Sequence, residues 1–153
     1  MVAELPEGVT VFERGWLSSN NILLFDGRQA VMVDTGYATH AEQTLFLVQA
    51  ALRGRPLDLI WNTHLHSDHC GGNARLQAAY PSVRTFIPPG MSDAVKHWDD
   101  GRLTYELTGQ LCPRFRMDGV LEPGTSLDAA RLEWAVWGAT GNDPHSIMLF
   151  NPQ

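Results

Sequence analysis

Apolar and polar positions along this chain switch between a strand-like and a helix-like period, and the switches mark out its elements. "NILLFDGRQAVMVDTG", residues 21–36, reads as two short apolar strands joined by Asp26-Gly27, a dipeptide suited to a tight hairpin turn. The second strand, Ala30 to Val33, runs into Asp34. "THAEQTLFLVQAALRG" then predicts a helix. Thr39 and Glu42 have the spacing of a capping box, Ala41, Leu45, Val48 and Leu52 share a face, and Gly54 stops it. "LDLIWNTH" is a mostly apolar strand that delivers His64 at its C-terminal end. "GNARLQAAYP" predicts a short helix ending before Pro81, and "VRTFIP" a further strand.

This alternation implies an α/β layered fold with parallel pairings. In such sheets, ligands bind beyond the carboxyl ends of strands. Asp34 and His64 both stand at such ends, so residues far apart in sequence are expected at one site. "MSDAVKHWDDGRLTYELTG" is expected to be helical, broken by Gly101, and to form an insertion over that site. "GVLEPGTSL", "RLEWAVWGA" and "SIMLF" predict turn-linked strands, which makes the tail β-rich.

The length, 153 residues, suits a single domain over 1–153 with a real core. A net charge of −6 with scattered basic residues argues against a nucleic-acid footprint. No run approaches the ~18 apolar residues of a membrane span. "MVAELPEGV" lacks the basic-then-apolar run of a signal peptide, so a cytoplasmic setting is the expectation. Two cysteines do not make a disulfide framework. Cys70, beside His69, is read as a small buried hydrophobe, with a thiolate-ligand or redox role as the alternative. The five tryptophans are expected in the core, although Trp98 has a position that suits a pocket lining.

The chemistry is concentrated in "NTHLHSDHCGGN", residues 62–73, with three histidines and an aspartate in six consecutive positions. Imidazole and carboxylate together suit zinc, and also iron or manganese. In this H-x-H-x-D-H pattern, His64 and His66 point the same way if the backbone is extended. Asp68 and His69 come round a turn, with Gly71-Gly72 letting the backbone fold tightly behind them. One loop then serves two adjacent metals, but neither pair completes a sphere of about four ligands.

"THLHSDHCGGN" resembles the motif of the metallo-β-lactamase-fold superfamily, the αββα hydrolases that include glyoxalase II-type thioesterases and lactonases. "VMVDTG" resembles that family's strand ending in an Asp-x-Gly turn. "LEPGTSLDAARLEWAVWGATGNDPHSIML" is similar to its strand, turn, strand and T-P-G-H-T-P-G-S segment. The resemblance runs from about Gly15 to Phe150.

It implies hydrolysis of a small ester, thioester or lactone by metal-activated hydroxide, with one or two zinc ions. The implied metal ligands are His64, His66, Asp68 and His69. Asp68 is the implied catalytic residue, positioning the attacking hydroxide and passing a proton to the leaving group. Asp34 and His145 stand behind the ligands, Asp34 orienting one of them through a hydrogen bond. His40 and His97 are expected to face solvent.

The chain departs from the family pattern in two places. Aligning "TGNDPHS" on "PGHTPGS" puts Asn142 at the third-histidine position of the first metal site, and an amide oxygen is a much poorer zinc donor. The family's bridging aspartate and last histidine lie downstream of Gln153. The expected architecture is therefore an incomplete αββα sandwich, the first αβ half plus the entry strands of the second. The expected partner is a second copy, by exchange of elements, or a complementing C-terminal fragment. Activity in this chain is expected to be impaired. The rival expectations are a non-catalytic metal-binding or interaction module and a mononuclear iron sulfur dioxygenase of the same fold.

Overall fold

The computed structural model describes residues 5–15, 18–141 and 143–152. A six-stranded sheet comes first. Its strands are β1 (Val9–Phe12), β2 (Asn21–Phe25), β3 (Ala30–Val33), β4 (Leu59–Trp61), β5 (Arg84–Ile87) and β6 (Gly119–Val120), in that spatial order. The β1–β2 and β2–β3 pairs are antiparallel, and from β3 to β6 every pair is parallel. The parallel steps are spanned by α1 (Ala41–Leu52), by α2 (Ser67–Cys70) with α3 (Asn73–Ala79), and by α4 (Ser92–His97) with α5 (Asp100–Leu103). The strands β7 (Ser126–Ala129), β8 (Leu132–Gly138) and β9 (Ile147–Phe150) form a separate antiparallel sheet.

The two-residue period of β3 explains the layering. Ala30 and Met32 enter a core with Leu45, Val48 and Leu52 of α1 and Leu76 of α3. Val31 and Val33 face the other way, into a core with Val136 and Ile147 of the second sheet. Register keeps these sets together, with Val31, Met32 and Val33 opposite Leu59, Ile60 and Trp61. Because β3 is buried on both faces, its sequence is continuously apolar rather than alternating. The layers run helix, sheet, sheet. On the far side of the second sheet, Trp137 and Phe150 stack at 4.9 Å and stay exposed, as does Met148.

Local details differ from the sequence expectations. β1 was not anticipated, although Val9 and Val11 in "GVTVF" carry the two-residue period of an edge strand. The β2–β3 connection is a four-residue loop, not a two-residue turn. Asp26 Oδ1 accepts the backbone N–H groups of Arg28 and Gln29 at 2.8 and 3.0 Å, and Gly27 takes a positive φ of 86°. Those bonds hold the exposed Asp26 carboxyl below its ordinary range.

The Thr39–Glu42 capping box does not form. Residues 38–40 make a 3-10 turn leading into α1, and Glu42 pairs with Arg75 of α3 instead. Trp98 is partly buried. It packs against Tyr105 and Phe115 in a third apolar cluster with Cys70. His97 is exposed as expected, while His40 is half-buried.

The segment after α5 does cross the motif loop. Tyr105 Oη donates to Leu65 O at 2.7 Å, Ser67 Oγ donates to Gln110 Oε1, and Leu111 N donates to Tyr37 Oη at 3.2 Å.

Candidate metal centre

β3 and β4 are parallel neighbours, so their carboxyl ends lie side by side and the residues after them meet. Asp34, directly after β3, is buried and takes a φ of 55°. Left-handed backbone is uncommon outside glycine and is costly unless local bonds hold it. Three bonds do so here. Asp34 Oδ1 accepts Thr63 N at 2.8 Å, and Oδ2 accepts Thr63 Oγ1 at 2.7 Å and His69 Nδ1 at 2.7 Å.

His64, His66, Asp68 and His69 are brought together by a tight reversal, but it is a one-turn helix, α2, and not the simple turn expected. His66 precedes this helix in extended conformation, φ −65° and ψ 145°. Gly71 and Gly72 serve close approach rather than unusual backbone angles. A Cβ on Gly71 would fall 2.6 Å from Ala38 N, and one on Gly72 would fall 2.5 Å from Thr35 O. The ring centroids of His64 lie 3.8 Å from His69 and 4.7 Å from His66.

Each donor has a different second contact. The bond to Asp34 fixes His69 as the Nδ1–H tautomer when the ring is neutral, leaving Nε2 as its lone-pair side. That Nε2 stands 3.4 Å from Asp68 Oδ2. His66 Nε2 stands 3.7 Å from Asp143 Oδ2. His64 Nε2 is buried with no hydrogen-bond partner among the described residues. Burial, and then the charge of His69, depress the His64 pKa. Burial also works against the charged form of His69. There, the hydrogen bond and charge of Asp34, with the charge of Asp68, outweigh it and raise the pKa.

Below the motif, its C-terminal end is pinned by a buried amide network. Thr35 N donates to His69 O at 2.7 Å, Asn73 Nδ2 to Asn62 Oδ1 at 2.7 Å, and Thr35 Oγ1 to Asn73 Oδ1 at 2.7 Å.

Whether these residues fit a metal is tested by their free atoms. The buried, unpartnered His64 Nε2 is the kind of atom a cation satisfies, and the imidazole and carboxylate set around it suits zinc. The fit is partial. Among the described residues, no group of three or more His, Cys, Asp or Glu side chains is arranged to hold an ion as one set. The side chains pair among themselves, His69 with Asp34 and Asp68, and His66 with Asp143.

Asn142 lies outside the described residues. His145 is exposed. It borders a shallow depression with His66 and Asp143, and its ring packs so closely over Gly90 that a Cβ there would meet Nδ1 at 2.0 Å. Thr63 and Asp143 were not singled out from the sequence. Thr63 was legible only as the residue before His64, and Asp143 only as a carboxylate beside the substituted Asn142.

A cavity of about 930 Å³ lies between the two sheets. Its apolar walls include Ile22, Leu24 and Val33 from the first sheet and Trp134 and Leu149 from the second. Asp34, Thr63, His64 and His69 open onto it.

Known proteins are similar to this chain in sequence and in fold. A family model, the metallo-beta-lactamase superfamily, matches residues 14–153. The hydroxyacylglutathione hydrolase of Stenotrophomonas maltophilia is 42% identical over 67 residues, 44% of this chain and 24% of that one. The structure superposes on the beta-lactamase from Chitinophaga pinensis with a TM-score of 0.75 at 16% identity, covering 97% of this chain and 55% of that one. It is similarly close to a subclass B3 metallo-beta-lactamase of Bradyrhizobium japonicum, with a TM-score of 0.74 at 15% identity and the same coverage. At such identities the superpositions speak to the fold. The chain spans about half the length of these solved relatives and about a quarter of the curated one. With its family model matched along nearly its whole length, the chain belongs to the metallo-beta-lactamase superfamily.

Proposed function

We propose that the protein is a metal-dependent hydrolase of a small ester, thioester or lactone, using one or two zinc ions. The observation that carries this reading is His64 Nε2, buried and unpartnered beside the His66 and His69 rings. When bound, the metal supplies an activated water and positive charge for the developing oxyanion. His64 and His66 would hold one ion, with Asp143 the carboxylate nearest to His66. Asp68 and His69 would hold the other.

Asp34 accepts from His69 Nδ1, which leaves Nε2 as the nitrogen that would bind a metal. Asp68, partly exposed, is placed to pass a proton to the leaving group. The apolar walls of the neighbouring cavity suit the acyl part of a substrate and exclude water from it. The zinc and the substrate class rest on the motif and its family, and no described helix is long and apolar enough to cross a membrane.

The reading is tested by zinc titration of the purified chain, followed by assay against a generic thioester and a lactone. Zinc binding that His64→Ala abolishes, together with metal-dependent turnover, supports it. Zinc binding without turnover of either substrate favours the second reading, a metal-binding module that has lost hydrolysis. That alternative is supported by Asn142, a poor zinc donor standing where the family pattern has a histidine.

A further inference from the structure

Two thiols that the metal chemistry does not use face each other beneath the motif loop. Cys70 Sγ and Cys112 Sγ are 3.8 Å apart, although 42 positions separate them in the sequence. Cys70 is the last residue of α2, next to His69, and is fully buried. Its thiol is held by the carbonyls of His66 at 3.4 Å and Leu65 at 3.6 Å, with Tyr105 Oη at 3.3 Å. Cys112 is only partly buried. It lies in the stretch between α5 and β6, which has no regular structure to fix it.

We propose that Cys70 and Cys112 form a peroxide-sensitive dithiol, whose disulfide fastens the 104–118 segment to the helix carrying Asp68 and His69. A disulfide requires sulfurs about 2 Å apart, and the irregular segment carrying Cys112 supplies the remaining approach. The two thiols are unequal in exposure. Cys70 is buried, while Cys112 is only partly so. Cys112, the more accessible, is therefore the attacking sulfur.

Its thiolate attacks one oxygen of a hydroperoxide. The O–O bond breaks, and the departing alkoxide takes a proton, leaving a sulfenic acid on Cys112. The Cys70 sulfur then attacks that sulfur. The S–O bond breaks, and the hydroxide leaves with the Cys70 proton as water. Two thiols lose two electrons, and the peroxide is reduced to an alcohol, or to water if it is hydrogen peroxide.

The pairing has a structural consequence for the loop. Tyr105, Gln110 and Leu111 already bond to Leu65, Ser67 and Tyr37. A covalent bond at Cys112 makes this contact permanent and withdraws the Cys70 S–H from the carbonyls of Leu65 and His66. The proposal does not depend on bound metal or on hydrolysis, so it stands or falls separately from the proposed function.

The test uses the reduced, full chain treated with a stoichiometric amount of hydrogen peroxide and then alkylated. Expected are the joint loss of both thiols, a non-reduced digest linking the Cys70 peptide to the Cys112 peptide, and reversal by dithiothreitol. Cys112→Ser should leave Cys70 alkylatable after denaturation. The oxidised wild type should unfold at a higher urea midpoint than the reduced. Sulfinic acid on Cys112 with Cys70 unchanged would overturn the pairing, as would linkage only between chains. An unchanged midpoint in the cross-linked protein would overturn the fastening.

Discussion

Asp34 Oδ2 accepts a hydrogen bond from His69 Nδ1 at 2.7 Å across 35 positions of sequence, while its other oxygen accepts the backbone N–H of Thr63. One buried carboxylate thus links the loop after β3, the end of β4 and the helix of the motif. Its left-handed backbone is stabilised by the bonds its own side chain makes.

Replacing that carboxylate should be felt at the metal. Asp34→Asn keeps the size but loses the charge, and metal affinity is expected to fall by about 10–100-fold, the usual effect of losing a carboxylate behind a ligating histidine. Zinc competition against a chromophoric chelator measures this directly, and an affinity within a factor of two of wild type would refute the orienting role.

The same bond sets a pH dependence in the metal-free protein. A histidine whose pKa is raised in the folded state favours folding while protonated. The His69 contribution is therefore complete below the ordinary imidazole value of about 6.5 and is lost as pH rises through its raised value. His64, with a depressed pKa, acts oppositely and weakens the fold as pH falls below about 6.5. NMR titration should find His69 above that value and His64 below it. In Asp34→Asn the His69 value should drop, and an unchanged one would contradict the assignment.

At the third-histidine position, Asn142→His is expected to raise zinc stoichiometry and the hydrolysis of a thioester or lactone. Asp143→Ala, which removes the carboxylate beside His66, is expected to lower zinc affinity in both backgrounds. Metal analysis of the four proteins after gel filtration decides the matter, and equal zinc content in all of them would sink both expectations.

The buried amide network should matter for stability. Asn73→Ala removes a partner from both Asn62 and Thr35, each fully buried. Leaving such groups unsatisfied costs about 1–3 kcal/mol each. Urea unfolding should show a loss of about 2–6 kcal/mol for the two groups, and a loss below about 0.5 kcal/mol, the level of an ordinary surface change, would mean that the network relaxes or hydrates.

The β7–β8 hairpin offers the opposite change. Ala130 and Arg131 form its two-residue turn with φ of 53° and 60°, angles that asparagine and glycine adopt far more readily. Ala130→Asn combined with Arg131→Gly is expected to stabilise the chain by about 1 kcal/mol, because left-handed backbone costs roughly 1–2 kcal/mol per ordinary residue. A lower melting temperature for the double variant would show that burial of Ala130 matters more than the turn.

What the sequence by itself determined was local and periodic. The one-faced pattern of Leu45, Val48 and Leu52 specified α1, and the apolar run from Ala30 to Val33 specified a strand. Four donor-type residues within six positions named the candidate centre, because a single strand end and one turn carry all of them. Where two local signals compete, sequence falls short. The Thr39–Glu42 spacing suited a capping box, yet Glu42 gains a guanidinium partner on α3 that only the packing of α1 against α3 supplies.

Tertiary structure alone decided which distant residues meet. Parallel pairing of β3 with β4 sets Asp34 beside Thr63 and His69, and the 104–118 segment brings Cys112 against Cys70. Such pairings depend on strand order and chain crossing, which apolar periodicity does not encode. The motif could therefore be read from twelve residues, while the carboxylates of Asp34 and Asp143 that meet His69 and His66 lie outside it.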